Sequence, residues 1–190
     1  MKTCIKILIA IILTTTAAFG QTTILWNESV NGELSGNSPP FTSLGALQLG
    51  TNIIIGVTEI HTIGNDNWIS YPDFFTFEVP SNYEVTTLYI QLDQPHVWAW
   101  IGDSTFSSEL AFNLNSSSGD MLSQWGLDSI DSGVYGMYLE NQDPAFPSSI
   151  ANYQLDFVVE PVPEPGTLGL LLLGASVFTL RPCRKSILFS

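Results

Sequence analysis

The chain has 190 residues and a formal net charge of −13, but the charge is laid out unevenly. Its five Lys and Arg sit at the ends, Lys2 and Lys6 at one and Arg181, Arg184 and Lys185 at the other, while all 18 Asp and Glu lie between Glu28 and Glu164. That central −18 with no cation excludes nucleic acid as a partner, because phosphate contacts need clustered Lys or Arg, and excludes an arginine clamp or a Schiff-base lysine.

The first predicted element is an export signal. In MKTCIKILIAIILTTTAAFGQ, Lys2 and Lys6 form a positive n-region, Ile7 to Leu13 an apolar h-region, and Ala18-Phe19-Gly20 a small-x-small site before Gln21. This pattern predicts a secretory signal peptide over 1–20, cleaved between Gly20 and Gln21 and handed to the Sec translocon. Both cysteines, Cys4 and Cys183, lie in the terminal segments, so the middle has no internal disulfide and no zinc-binding cysteine cluster.

Residues 21–160 read as one all-β domain, an antiparallel β-sandwich or jelly roll. No stretch sustains a helical period, whereas several alternate with period two. Phe75, Phe77 and Val79 oppose Thr76 and Glu78; Leu88, Ile90 and Leu92 oppose Thr87, Tyr89 and Gln91; Tyr153, Leu155, Phe157 and Val159 oppose Gln154 and Asp156. Further strands are expected at Thr23–Val30, Leu44–Leu49, Asn52–Ile60, Val97–Ile101, Glu109–Leu114 and Val134–Leu139. Asn31-Gly32, Gly36 to Pro40, Gly64 to Asp66 and Asn141 to Pro147 supply turn chemistry between them.

Within this domain four features bear on chemistry. Gly64-Asn65-Asp66-Asn67 with Asp73, and Asp128 with Asp131, are oxygen-rich and suited to calcium, without the spacing of an EF-hand; solvated turns are the competing reading. Ile101-Gly102-Asp103-Ser104 resembles the Gly-Asp-Ser block of a lipase and esterase family, but both histidines, His61 and His96, precede Ser104, so the tripeptide reads as a turn. Eighteen acids offer many carboxylate pairs, and their abundance argues against any one of them as a glycosidase dyad. In His96-Val97-Trp98-Ala99-Trp100-Ile101, the residues His96, Trp98 and Trp100 share one face of a strand. If Val97, Ala99 and Ile101 face the core, Trp98 and Trp100 form an exposed platform for a ligand; the alternative buries the tryptophans.

The last segment combines Val162-Pro163-Glu164-Pro165, an apolar run over Gly166–Leu180, and a basic cluster of Arg181, Arg184 and Lys185 over 181–185. The 15-residue run spans roughly 22 Å at the rise of an α-helix, short of a full bilayer core. The basic cluster marks its cytoplasmic end, and the prolines keep the preceding chain extended and accessible. In this order, behind a signal peptide, residues 161–185 resemble the PEP-CTERM sorting signal, with motif 162–165 and a transmembrane helix at about 166–180. Pro182 and Cys183 interrupt the basic cluster, and Ser186 to Ser190 run past it. The resemblance implies processing by an exosortase, transient anchoring in the inner membrane, and then display on the cell surface or in an exopolysaccharide matrix.

Asp73-Phe74-Phe75-Thr76-Phe77-Glu78-Val79-Pro80, Ser132-Gly133-Val134-Tyr135 and Tyr153-Gln154-Leu155-Asp156-Phe157-Val158-Val159 resemble the strands of exported pre-peptidase C-terminal-type sandwiches. Asn31-Gly32-Glu33-Leu34-Ser35-Gly36-Asn37 with Leu49-Gly50-Thr51-Asn52 is similar to the opening of sandwiches that carry this tail. Family members are accessory modules of secreted enzymes, some implicated in matrix binding or calcium. The expectation is therefore a non-enzymatic, exported, adhesive or structural protein with no required cofactor. A glycan- or protein-binding module with one ligand is the alternative, and a secreted hydrolase the third.

Overall fold

Period-two burial runs through almost every strand of the chain and builds two sheets around a common apolar layer. The computed structural model describes residues 20–36, 39–62, 68–94, 96–116, 118–142 and 148–162. The signal peptide up to residue 19, the Gly64-Asn65-Asp66-Asn67 loop and the tail from Pro163, with its expected transmembrane helix, lie outside the described residues.

In chain order the elements are β1 (Thr22–Asn27), α1 (Glu28–Asn31), β2 (Thr42–Ala46), β3 (Gly50–Thr62), β4 (Trp68–Tyr71), β5 (Asp73–Val79), β6 (Tyr83–Leu92), β7 (Val97–Asp103), β8 (Glu109–Ser116), β9 (Gly119–Asp120), α2 (Met121–Trp125), β10 (Gly133–Asn141) and β11 (Ser148–Pro161). One sheet has the order β1-β3-β11-β6-β9, with β4 also on β3; the other runs β2-β5-β10-β7-β8. The pairs β1–β3 and β2–β5 are parallel and the remaining pairs antiparallel. Ile54, Phe75, Phe77, Leu88, Ile90, Met137, Leu139, Leu155 and Phe157 fill the space between the sheets.

The expected alternation holds on β5, β6 and β11, and one irregularity is instructive. Val85 and Leu88 are both buried although they stand three positions apart, out of step with period two. The register against β11 passes from Thr87 to Val85, so Thr86 is the extra residue of a β-bulge that turns both side chains inward.

Several expected boundaries move. The strand read over Thr23–Val30 stops at Asn27, whose Oδ1 accepts the Ser29 N–H at 3.1 Å and caps the short α1 turn. The Leu44–Leu49 strand pairs instead over Thr42–Ala46; Gly45, at φ 76°, breaks the run and Leu47 drops into the core. β4 and α2 were not expected. The signal for α2 is the pair bracketing it: Asp120 accepts the Leu122 N–H, and Gly126, in the left-handed region, ends the helix.

Two topological facts place the tail. Thr22 of β1 and Val158 of β11 both pair with Thr51 of β3, from opposite sides. The start and end of the domain are therefore about 10 Å apart, two strand spacings. At the end of β11 the Val162 N–H donates to the Asn82 carbonyl at 2.8 Å, so the fold is hydrogen-bonded up to the residue before Pro163. No helix among the described residues is long and apolar enough to cross a membrane.

Candidate functional site

β7 turns Val97, Ala99 and Ile101 into the core, each fully buried, and its aromatic residues to the outside of the second sheet. That orientation does not leave the tryptophans as an open platform, which corrects the sequence expectation. Trp100 is only 8 % exposed and Trp98 is half-buried, because neighbouring strands and the β7–β8 turn bring further aromatic rings onto the same face.

The register explains the assembly. Phe74 of β5 pairs with Tyr138 of β10, Tyr138 with Trp100 of β7, and Trp100 with Phe112 of β8. Four outward aromatic residues thus stand in one row across four strands, roughly 14 Å long at the usual strand spacing. Tyr138 stacks on Phe74 (5.1 Å between centroids) and on Trp100 (5.8 Å), while Trp98 meets Phe112 edge-on at 5.9 Å. These offset and edge-on arrangements suit the quadrupoles of the rings.

Beside this row lies a pair of glycines, Gly136 opposite Gly102. The space over Gly102 is taken by the Trp100 ring and the Ser108 carbonyl, and that over Gly136 by Phe106 from the β7–β8 turn, whose ring a Cβ on Gly136 would meet at 2.8 Å. Phe106 stacks on Trp100 at 5.2 Å and meets Phe74 and Phe41 edge-on. Its backbone is held at φ 58°, a conformation bulky residues rarely adopt. Asp103 enforces it: one carboxylate oxygen accepts the backbone N–H groups of Thr105 and Ser107 and the Thr105 hydroxyl, and the other accepts the Ser107 hydroxyl. The Thr105 hydroxyl bond, with the Ser107 bonds, holds the Asp103 carboxyl well below the usual carboxylate range.

Gly102-Asp103-Ser104 is therefore the stapled end of a hairpin that presents Phe106. His96 precedes β7 and Ser104 follows it, roughly 25 Å apart at the rise of a strand. His61, on β3, pairs with Glu59 (Nε2–Oε2 2.7 Å) and packs edge-on against Tyr71.

Phe74, Trp100, Phe106, Phe112 and Tyr138 enclose an open groove of about 300 Å³, with the exposed Glu109 on its rim. The Tyr138 hydroxyl titrates above its ordinary range, first because of burial and then because Glu140 and Glu109 are near. It stays protonated, with both carboxylates near. The groove thus brings apolar rings, one hydroxyl and an exposed carboxylate together.

A second cluster lies inside the fold, at the inward-facing start of β5. Glu28 accepts the N–H groups of Leu34 (2.8 Å) and Val57 (2.6 Å), taking over β3 donors where β1 ends. Beyond it Asp73 is 5 % exposed and Tyr153 2 % exposed. Neither Asp73 Oδ2 nor the Tyr153 hydroxyl has a hydrogen-bond partner of standard geometry. Burial, then Glu28, pushes the Asp73 carboxyl up to about 8. Asp73 is thus buried at the start of β5 and no part of a solvated turn, while the 64–67 loop that the calcium reading joined to it lies outside the described residues. Asp128 and Asp131 remain on the exposed loop after α2. Among the described residues no group of three or more His, Cys, Asp or Glu is arranged to hold a metal ion.

Sequence reasoning found Trp98 and Trp100 but missed Phe74, Phe106, Phe112 and Tyr138. Three of these four sit at outward positions of strands whose inward residues are also apolar, a two-sided pattern that was present to be read.

Residues 161–185 match the PEP-CTERM protein-sorting motif. Among solved structures, the chain is similar to the pre-peptidase C-terminal domain of collagenase from Bacillus anthracis, at 18% identity over 65% of this chain and 100% of that one, with a TM-score of 0.38. No curated protein matches. The matched segment begins at Pro161, the last residue of β11, so the sorting signal follows the sandwich without a linker. The chain is an exported protein sorted by an exosortase through a C-terminal PEP-CTERM motif.

Proposed function

We propose that this protein is a non-enzymatic adhesion module. Once sorted to the cell surface, it holds polysaccharide of the extracellular matrix against the aromatic face of its second sheet. The observation that carries the reading is the row Phe74–Tyr138–Trp100–Phe112 with Phe106 beside it, an aromatic groove on a face that a sandwich ordinarily gives to polar residues. Aromatic faces stack on the C–H faces of pyranose rings, and a rim of carboxylates and one phenol supplies hydrogen bonds to hydroxyl groups.

The alternative of a module specific for one protein draws on the same groove, and no observation favours it. The hydrolase reading loses its support from Ser104, which sits in a turn at the far end of β7 from His96. In this reading neither calcium nor any other cofactor is required, and the Sec translocon and exosortase act only during export.

The test is co-sedimentation of the full chain, in mild detergent, with the exopolysaccharide of its host, with calcium and with chelator. Saturable retention in chelator that falls in Phe112→Ala supports the reading. Absence of retention in both conditions refutes it. Retention that needs calcium and ignores Phe112→Ala refutes it too, in favour of calcium bridging the acidic domain to an anionic polymer.

A further inference from the structure

We infer that the groove selects amino-sugar polymers carrying free ammonium groups; this rests on the polysaccharide-binding reading above. Three independent features point the same way.

The first is charge. From Gln21 to Leu180 the chain has no Lys or Arg, so nothing on the domain offsets a ligand carboxylate, sulfate or phosphate. A uronate-rich polymer meets like charge everywhere.

The second is where the acids stand. Glu109 lines the groove and is exposed. Glu140 pairs with Trp98 across β10 and β7, two positions beyond Tyr138 and on the same face. The Tyr138 hydroxyl lies within the electrostatic reach of both. A hexosamine seated over Tyr138 and Phe112 directs its ring face to the aromatic row and its ammonium to a carboxylate.

The third is the walls. Aromatic ring faces are the negative poles of their quadrupoles and attract cations. Phe74 and Tyr138 have ring faces stacked against neighbouring rings, whereas Phe106 is stacked on Trp100 alone and Phe112 meets Trp98 edge-on, so these last two, both half-buried, offer such faces. A neutral sugar uses the stacking alone; an ammonium sugar uses stacking, cation–π attraction and the carboxylates together. The approximate 14 Å of the row accommodates a few consecutive sugar units, so an oligomer is the fitting ligand.

The experiment is a binding titration of the full chain with four probes at pH 6 and low salt: hexaglucosamine, hexa-N-acetylglucosamine, a hexamer of a uronic acid, and hexalysine. The expected order places hexaglucosamine about tenfold tighter than its N-acetylated form, with the uronate unbound. Glu109→Gln keeps the side-chain shape, removes the charge and is expected to abolish most of that preference by weakening hexaglucosamine far more than the N-acetylated hexamer. Phe112→Ala is expected to weaken both sugars. Circular dichroism of each variant checks that the sheets persist.

Equal or tighter binding of the N-acetylated hexamer, or binding of the uronate in chelator, overturns the ammonium assignment but leaves polysaccharide binding intact. Hexalysine binding as tightly as hexaglucosamine, with Phe112→Ala without effect on either, reduces the attraction to bulk charge and overturns the inference. No sugar bound at all refutes the adhesion reading itself.

Discussion

Replacing Asp73 with Asn removes a carboxyl group that the fold keeps out of water, and the consequence is a change in how stability depends on pH. Asp73 begins β5, is 5 % exposed and sits near Tyr153 and Glu28. Burial and then the Glu28 charge raise it from 3.8 to about 8. Below pH 4 the group is protonated whether the chain is folded or not, and it imposes no penalty. Between pH 4 and pH 8 the unfolded chain releases the proton while the folded chain keeps it, so the folded state binds more protons and stability falls as pH rises. At 1.36 kcal/mol per pH unit, four units come to on the order of 5 kcal/mol, fully lost above pH 8. Glu28, also raised by burial, adds a slope of the same sign. Asp73→Asn carries no such titration. Its urea midpoint, followed by tryptophan fluorescence, should match the wild type near pH 4.5 and exceed it increasingly toward pH 9. Parallel curves for the two proteins, or a wild-type stability that rises from pH 5 to 8, would refute the reasoning.

Other expectations follow from packing. Trp100→Ala removes a buried ring stacked between Tyr138 and Phe106 and should cost about 3–5 kcal/mol, whereas Trp98→Ala, at a half-buried site, should cost clearly less; urea midpoints separate the two. Gly56 faces the Tyr153 ring across β3 and β11, and the hydroxyl and ring edge occupy the place of a Cβ. Gly56→Ala should therefore lose roughly 1–3 kcal/mol, read as a lowered Tm, and the loss should shrink when Tyr153 is also made Leu. Trypsin should release no peptide from between Gln21 and Leu180 even in denaturant, because that stretch has no Lys or Arg; mass spectrometry of the digest checks it.

The sandwich was legible because its inner faces carry a period-two apolar pattern. Phe75, Phe77, Leu88, Ile90, Leu155 and Phe157 fall at every second position of their stretches, and all six are buried. What the alternation did not reveal depends on register. Phe74, Tyr138 and Phe112 are 26 to 64 residues apart in the chain, and only strand pairing puts them in one row with Trp100. Phe106 was harder still, since its place follows from an Asp103-stapled turn and the absence of a Cβ atom on Gly136. Helices α1 and α2 escaped for another reason. At four and five residues they are too short for a period, and only their caps give them away.

The placement of tail and groove separates sorting from binding. The tail leaves β11, in the sheet β1-β3-β11-β6-β9, at the pole where Val162 bonds Asn82. The groove lies on the outer face of the other sheet. Along β10, Tyr138 is five residues beyond Gly133, which pairs with Val79 just before the β5–β6 turn that carries Asn82. That is roughly 17 Å along the strand from the tail's pole. A ligand seated at Tyr138 is therefore well clear of the end of β11, where the sorting motif begins. Removing the chain after Val162 leaves every described pairing of β11 in place. Under the proposed adhesion role, binding should then be the same before and after processing.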